Sequence, residues 1–337
     1  MANASLVANS PTKLSFTDII GSIEPHFKAL DHFLSAQTNE IEPELHELAQ
    51  YCINLSGKRI RASLVFLSGW TSDNIVSSDL VHIAAIIELV HLATLVHDDI
   101  LDKAFIRRNK ATLSQKFGNN EAILFGDALF SHSLKIASDF PTTLVCRSIA
   151  EATRRVCAGE IAQTFFKNNT PISLTQYYRI IDLKTAELFR VACALGATFS
   201  SDNQAFHEAA ANFGRSLGIA YQIYDDLIDF FGEEDTIGKT LGTDLNERRY
   251  TLPVILLMEN VAPEDRKQLQ TLLASQENCF EHVKALMDKH QIKDAVVQSL
   301  SQELETAEAS LKPFEALPAV PKLLAIKAFL LQKVQDL

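Results

Sequence analysis

Apolar residues recur at three- and four-residue spacing along nearly the whole chain, the pattern of amphipathic helices that each turn one face to a core. It predicts helices over 16–36 and 41–54, a break at Ser56-Gly57, and then a basic cluster of Lys58, Arg59 and Arg61. From Asp79 to about Ile100, the positions Leu80, Ile83, Ala84, Ile87, Val90, His91, Thr94 and Leu95 predict a strong helix, ~30 Å long at 1.5 Å per residue. Residues 103–119 are more polar, and Gly118-Asn119-Asn120 marks a loop before the next helix. Further helices are predicted over 121–138, 142–168, 173–200, 204–232 and 250–260, with two or three more to the C-terminus. No repeat, low-complexity tract or linker divides residues 1–337, so the expectation is a single all-α domain.

Composition narrows the class. The 337 residues include only 12 Gly and 10 Pro, too few for an all-β chain that turns every ~8–12 residues. Proline is absent from 44–140 and from 172–252, and the chemistry is expected in those uninterrupted spans. A net charge of −11 disfavours nucleic-acid binding, which needs a basic field, and leaves room for small anions held by local cations. Cys52, Cys146, Cys157, Cys193 and Cys279 form no CxxC pair and are expected as reduced core residues. Met1 to Phe16 lacks the pattern of a targeting peptide, and no run reaches ~18 uninterrupted apolar residues. A cytoplasmic protein with no transmembrane segment is expected.

Two aspartate clusters stand out. Asp98 and Asp102, four apart, share a helix face with Asp99 beside them, and Asp225, Asp226 and Asp229 repeat the D-D-x-x-D pattern 127 residues later. Like charges at this spacing repel, and acids near a helix C-terminus face the unfavourable end of its dipole. Something must neutralise them. Carboxylates without His or Cys suit hard cations, and Mg²⁺ prefers one or two carboxylates plus water and substrate phosphates. Arg107 and Arg108 follow the first cluster and Lys239 the second, while Lys58, Arg59 and Arg61 follow a Gly. Cations set beside dense carboxylates in an acidic chain point to phosphate.

These residues resemble the trans-polyprenyl diphosphate synthases. The likeness runs from Gly57-Lys58-Arg59-Ile60-Arg61 through His91 to Asp99, Arg107-Arg108, Gly126-Asp127, Gly159-Glu160, Lys184 to Phe189 and Tyr221 to Asp226, ending at Gly238 to Leu245. It implies an all-α isoprenoid synthase bundle around a central cavity, a homodimer and three Mg²⁺ ions. By that resemblance Asp98 and Asp102 bind two Mg²⁺ and Asp225, with Asp229 nearby, the third. Arg107, Lys184 and Lys239 complete the grip on an allylic diphosphate, with Gln222 and Thr185 near the ionising carbon. Lys58, Arg61, His91 and Arg108 match positions that hold isopentenyl diphosphate. The chain departs from the family at Asn109, usually Gly, at Ala111, usually Pro, and at Ala62, commonly Pro, which puts loop geometry in question.

The chemistry implied is ionisation of the allylic C–O bond, with metal and cations stabilising the departing diphosphate. Attack by the alkene of isopentenyl diphosphate and loss of a proton then lengthen the chain by one unit. No side-chain nucleophile is required. Ala93 and Thr94, one turn above the first cluster, are expected to line the tunnel that receives the tail; short-chain members usually carry aromatics there. Both being small, the expectation is a product of six or more isoprene units, with a floor formed by larger residues such as Phe130. Contact with a membrane would serve release of a greasy product. A class I terpene cyclase would carry a different second motif and need no isopentenyl diphosphate site, and a non-catalytic partner subunit would show degenerate clusters. A short-chain synthase is the remaining alternative.

Overall fold

The structure, a computed structural model, describes residues 16–53, 57–73, 75–166, 172–233, 241–247, 249–274 and 279–337. Lys239 and the surrounding Gly238-Lys239-Thr240 lie outside the described residues. Helices α1 (Phe16–Gly21), α2 (Glu24–Gln37), α3 (His46–Ile53) and α4 (Ile60–Ser68) lead to the central α5 (Ser78–Leu101). A two-stranded antiparallel hairpin, β1 (Ile106–Arg107) and β2 (Lys110–Ala111), pairs Ile106 with Ala111 and precedes α6 (Leu113–Phe117) and α7 (Asn119–Ser138). Next come α8 (Thr143–Phe166), α9 (Leu174–Ile181), α10 (Glu187–Thr198) and α11 (Gln204–Phe231). The remainder is α12 (Thr243–Asn246), α13 (Leu252–Asn260), α14 (Pro263–Ala274), α15 (Phe280–Lys289), α16 (Ile292–Leu311) and α17 (Ala319–Gln335).

Helix α5 is apolar around most of its circumference because it runs through the core, with Glu88, His91 and Asp98 turned to the cavity. It packs against α2, α4 and α7 and buries Leu80, Ile83, Ile86, Ile87 and Val90. Its best 18-residue window has a mean hydropathy of 1.8, enough to cross a membrane by length and composition, yet 61% of that window is buried inside the bundle. Ser77 caps its N-terminus by accepting from the Leu80 N–H, and Asp102 ends it with an N–H to the Asp98 carbonyl at 2.8 Å. Helix α11 packs against α10 and α16 and carries the second aspartate cluster in its last two turns.

Several expectations change. The helix expected over 16–36 divides between Gly21 and Glu24, and the polar 103–119 segment holds the hairpin and α6. Helix α4, which follows the basic cluster, has no counterpart among the predicted helices. The helix expected over 173–200 is interrupted by a π-turn at Asp182–Ala186, where hydrogen bonds run i→i+5. Cys52 and Cys193 are buried as expected, but Cys146 and Cys279 are half-buried and Cys157 is exposed.

Candidate active site

One cavity of about 1750 Å³ collects nearly all the residues singled out in the sequence. Lys58, Arg61, His91, Thr94, Asp98, Asp102, Arg107, Arg108, Phe130, Lys184, Thr185, Gln222, Asp225 and Asp229 line it, although they come from α4 and the residues before it, α5 and its C-cap, the β1–β2 hairpin, α7, α11 and the π-turn. Ala93 does not. It is fully buried, and at 100° per residue a position five before Asp98 points about 140° away from it. His97, one turn on from Ala93, presses its ring on Gly126 of α7 and lies 5.9 Å from the Phe130 ring. Thr94, only about 40° from Asp98 by the same count, does face the cavity.

The two clusters divide labour internally. In the first, Asp98 faces Lys184, with Nζ 3.7 Å from Oδ2, and Asp102 is ion-paired with Arg249. Asp99 turns aside to hold Arg107, whose Nε donates to both carboxylate oxygens at 2.8 and 3.0 Å. Arg107 therefore has one side committed to the protein before any ligand binds. In the second, Asp226 is buried and accepts from Tyr177 OH at 2.6 Å and from Gln222 Nε2 at 2.9 Å. Asp229 is also buried, and its Oδ2 accepts the Asp244 N–H at 3.1 Å, which ties α11 to α12.

Burial raises the Asp98 carboxyl to about 6; Lys184 opposes the rise, and Glu160 and Asp102 add to it. Burial also raises Asp226 well above the carboxylate range, with Asp244 adding to it. Arg249 compensates charge that sequence spacing could not locate. It reaches Asp102, Asp244 at 3.3 Å and Glu247 at 2.9 Å, and although burial works against its charge these acids hold its pKa up.

Lys184 and Thr185 project from the π-turn, which is held between two glycines. A Cβ at Gly159 of α8 would lie 2.7 Å from the Lys184 nitrogen, and one at Gly218 of α11 would lie 2.6 Å from the Ala186 Cα. Four residues on from each glycine is a glutamine. Gln163 accepts from Lys184 Nζ at 2.8 Å, and Gln222 accepts from Thr185 Oγ1 at 2.7 Å. Lys184 is also ion-paired with Glu160.

The second group of cations sits around His91. Arg61 donates to His91 Nε2 at 3.0 Å and lies over the Phe189 ring at 4.9 Å, while its Nε is buried without a hydrogen-bond partner. A buried guanidinium donor left unpaired costs about 1–3 kcal/mol or more, and a bound anion offsets that cost. Burial pushes His91 well below its ordinary pKa, with Arg61 and Arg108 adding to the shift. Gly57 leaves the space into which the Arg108 guanidinium extends, since a Cβ there would lie 2.4 Å from its Cζ. Two departures from the family pattern have local reasons. Asn109 is left-handed at φ 61°, which Asn tolerates better than most residues. Ala62 donates its N–H to Glu88 Oε1 at 3.1 Å, a bond that proline could not make.

The donor set suits Mg²⁺. Asp98 and Asp102 offer hard oxygens one turn apart, with Asp225 on the same cavity, and Lys184 and Arg249 balance their charge. Among the described residues no three His, Cys, Asp or Glu side chains form a ready-made metal cage.

A helical bundle around one deep cavity, with paired carboxylates and cations on its wall, defines an isoprenoid synthase fold. A model of the polyprenyl synthetase family matches residues 42–290, and the chain belongs to that family. It is 33% identical over 276 residues to heptaprenyl diphosphate synthase component 2 of Bacillus subtilis, covering 82% of this chain and 78% of that protein. It is 28% identical over 307 residues to the octaprenyl diphosphate synthase of Haemophilus influenzae, covering 90% and 92%. A polyprenyl synthase from Caulobacter crescentus, solved with calcium and isoprenyl diphosphate, superposes with a TM-score of 0.84 at 26% identity, covering 96% of this chain and 99% of that one.

Proposed function

We propose that this protein is a prenyltransferase that adds isopentenyl diphosphate repeatedly to an allylic diphosphate and makes a long trans-polyprenyl diphosphate of six or more units. The observation that carries this reading is the meeting of two cation groups on one cavity. Lys184 and Arg107 pair with the carboxylates Asp98 and Asp99, and Arg61 and Arg108 gather around His91, with Lys58 on the same cavity. Two diphosphates thus have two cradles. Asp98, Asp102 and Asp225, with Asp229 nearby, would hold Mg²⁺, which when bound would supply positive charge opposite the departing diphosphate; three ions is the number the family resemblance implies.

The residues then act in sequence. Lys184 and Arg107 bind the allylic diphosphate and stabilise negative charge as the C–O pair leaves with it. Thr185 and Gln222 line the wall beside the ionising carbon. Arg61, Arg108 and Lys58 orient isopentenyl diphosphate so that its alkene forms the new C–C bond, and the released diphosphate takes the proton lost. Leu34, Leu92, Leu95, Val156 and Leu188 make an apolar wall that keeps water from the cation. With Thr94 rather than an aromatic on that wall, the tail passes down toward the floor that Phe130 helps to form.

Purified protein given farnesyl diphosphate, isopentenyl diphosphate and Mg²⁺ should release diphosphate and yield products of six or more units by chromatography. Products that stop at three or four units would overturn the long-chain reading. No diphosphate release by the protein alone would instead favour a subunit of a two-component synthase, as the name of the Bacillus relative suggests. The chain is read as forming a homodimer with a second copy through α7 and α8, where Ile123, Leu124, Leu134, Ile161 and Phe165 are exposed. Sedimentation of the purified chain as a monomer would overturn that assembly.

A further inference from the structure

Arg155 of α8 lies behind the cavity wall and has no place in the reaction just described. Its Nε donates to Glu187 Oε2 at 2.8 Å, and its Nη2 lies 3.4 Å from Asp182 Oδ2. These two carboxylates bracket the π-turn, one at its first residue and one immediately after its last. On a regular α-helix residues five apart point about 140° away from each other. That offset works against one guanidinium holding both. An i→i+5 turn brings them back toward one side, so the wide turn favours the two-carboxylate grip of Arg155.

The surroundings support a fixed clamp. Glu187 is 1% exposed and also accepts from Arg190 at 2.6 and 3.0 Å, and Asp182 also accepts from Arg215 at 2.5 Å. Each acid therefore keeps a partner if Arg155 is removed, and what is lost is the bridge between them. One turn along α8 from Arg155 is Gly159, where the π-turn backbone makes its close approach, and one turn further is Gln163, which accepts from Lys184. A single helix face thus spaces the turn, admits its backbone and aligns the ammonium it carries.

We propose that Arg155 is a positioning residue, which acts through Asp182 and Glu187 to hold the wide turn that presents Lys184 and Thr185 to the allylic diphosphate. The role rests on the prenyltransferase reading; the clamp itself does not. Arg155→Met removes the bridge, and Arg155→Lys keeps the charge but holds only one acid well. Both variants should fold, because each acid retains its second arginine.

The expected result is a fall in kcat of roughly tenfold to a hundredfold, the scale of a small misplacement of a reacting group. KM for isopentenyl diphosphate, set by the remote Lys58, Arg61 and Arg108, should stay within about twofold by the same reasoning. In metal-free, ligand-free protein, hydrogen exchange of the amides over 182–187 should speed up in Arg155→Met while α5 stays as protected as in the wild type. Unchanged kcat, or a fall in activity matched by an equal fall in folded fraction, would overturn the positioning role. Unchanged exchange would overturn the clamp. An inactive wild type with faster exchange in the variant would count against the prenyltransferase reading and the positioning role built on it, and leave the clamp standing.

Discussion

At His91 the proton sits on Nδ1, because Arg61 can only donate and does so to Nε2 at 3.0 Å. Burial and the neighbouring arginines hold the folded pKa well below 6.5, whereas the unfolded chain protonates near that value. The unfolded state therefore binds more protons below pH 6.5, and stability falls as pH drops from there toward the depressed folded pKa. Denaturant unfolding at pH 7.5 and 5.5 should show the wild type losing about 1 kcal/mol more than His91→Gln; equal losses would refute it. The position of His91 beside Arg61 and Arg108 was legible from its motif, but its neutrality was not, because burial and an arginine 30 residues away decide it. Asp99 and Asp226 were indistinguishable by spacing from their cluster mates. Only the fold shows that they hold Arg107 and Gln222.

At the level of the helix, face decides function. Thr94 and Ala93 are neighbours in sequence and separated by 100° around α5, so one meets the cavity and the other is buried in the core. Thr94→Phe should shorten the product with the first condensations intact. Ala93→Phe should leave product length unchanged and lower stability by about 1–3 kcal/mol through overpacking. Chromatography of products with a thermal or denaturant midpoint for each variant separates the two outcomes, and shortening by Ala93→Phe alone would reverse the assignment. Apolar periodicity located α5, α7, α8 and α11 to within a few residues. It passed over the π-turn because one wide turn barely disturbs a 3.6-residue pattern, and over α4 because helix ends beside a basic cluster carry little amphipathic contrast.

For the molecule as a whole, long helices free of proline bring carboxylates 127 residues apart in sequence to one cavity. Arg249 adds a cross-link of its own, tying the end of α5 to α12 through Asp102, Asp244 and Glu247. Its partners were beyond any spacing argument, since Asp102 is 147 residues away. The expected all-α architecture and most of the cavity lining were legible because they follow from periodicity and motifs. The compensation of charge was not, because it depends on which side chains the completed bundle brings within reach.

The continuity of the cavity, polar on one part of its wall and apolar on the rest, should also be visible in heat. An isoprenoid tail entering the apolar part removes hydrocarbon surface from water, and that carries a negative heat-capacity change. Titration calorimetry at several temperatures, with non-ionisable thio analogues of primers of two, three, four and more units, should give a heat-capacity change that grows with each added unit. The increments should end at the length where the tail meets solid protein, which measures the depth of the tunnel without a single turnover. A value independent of tail length would mean that the tail stays outside.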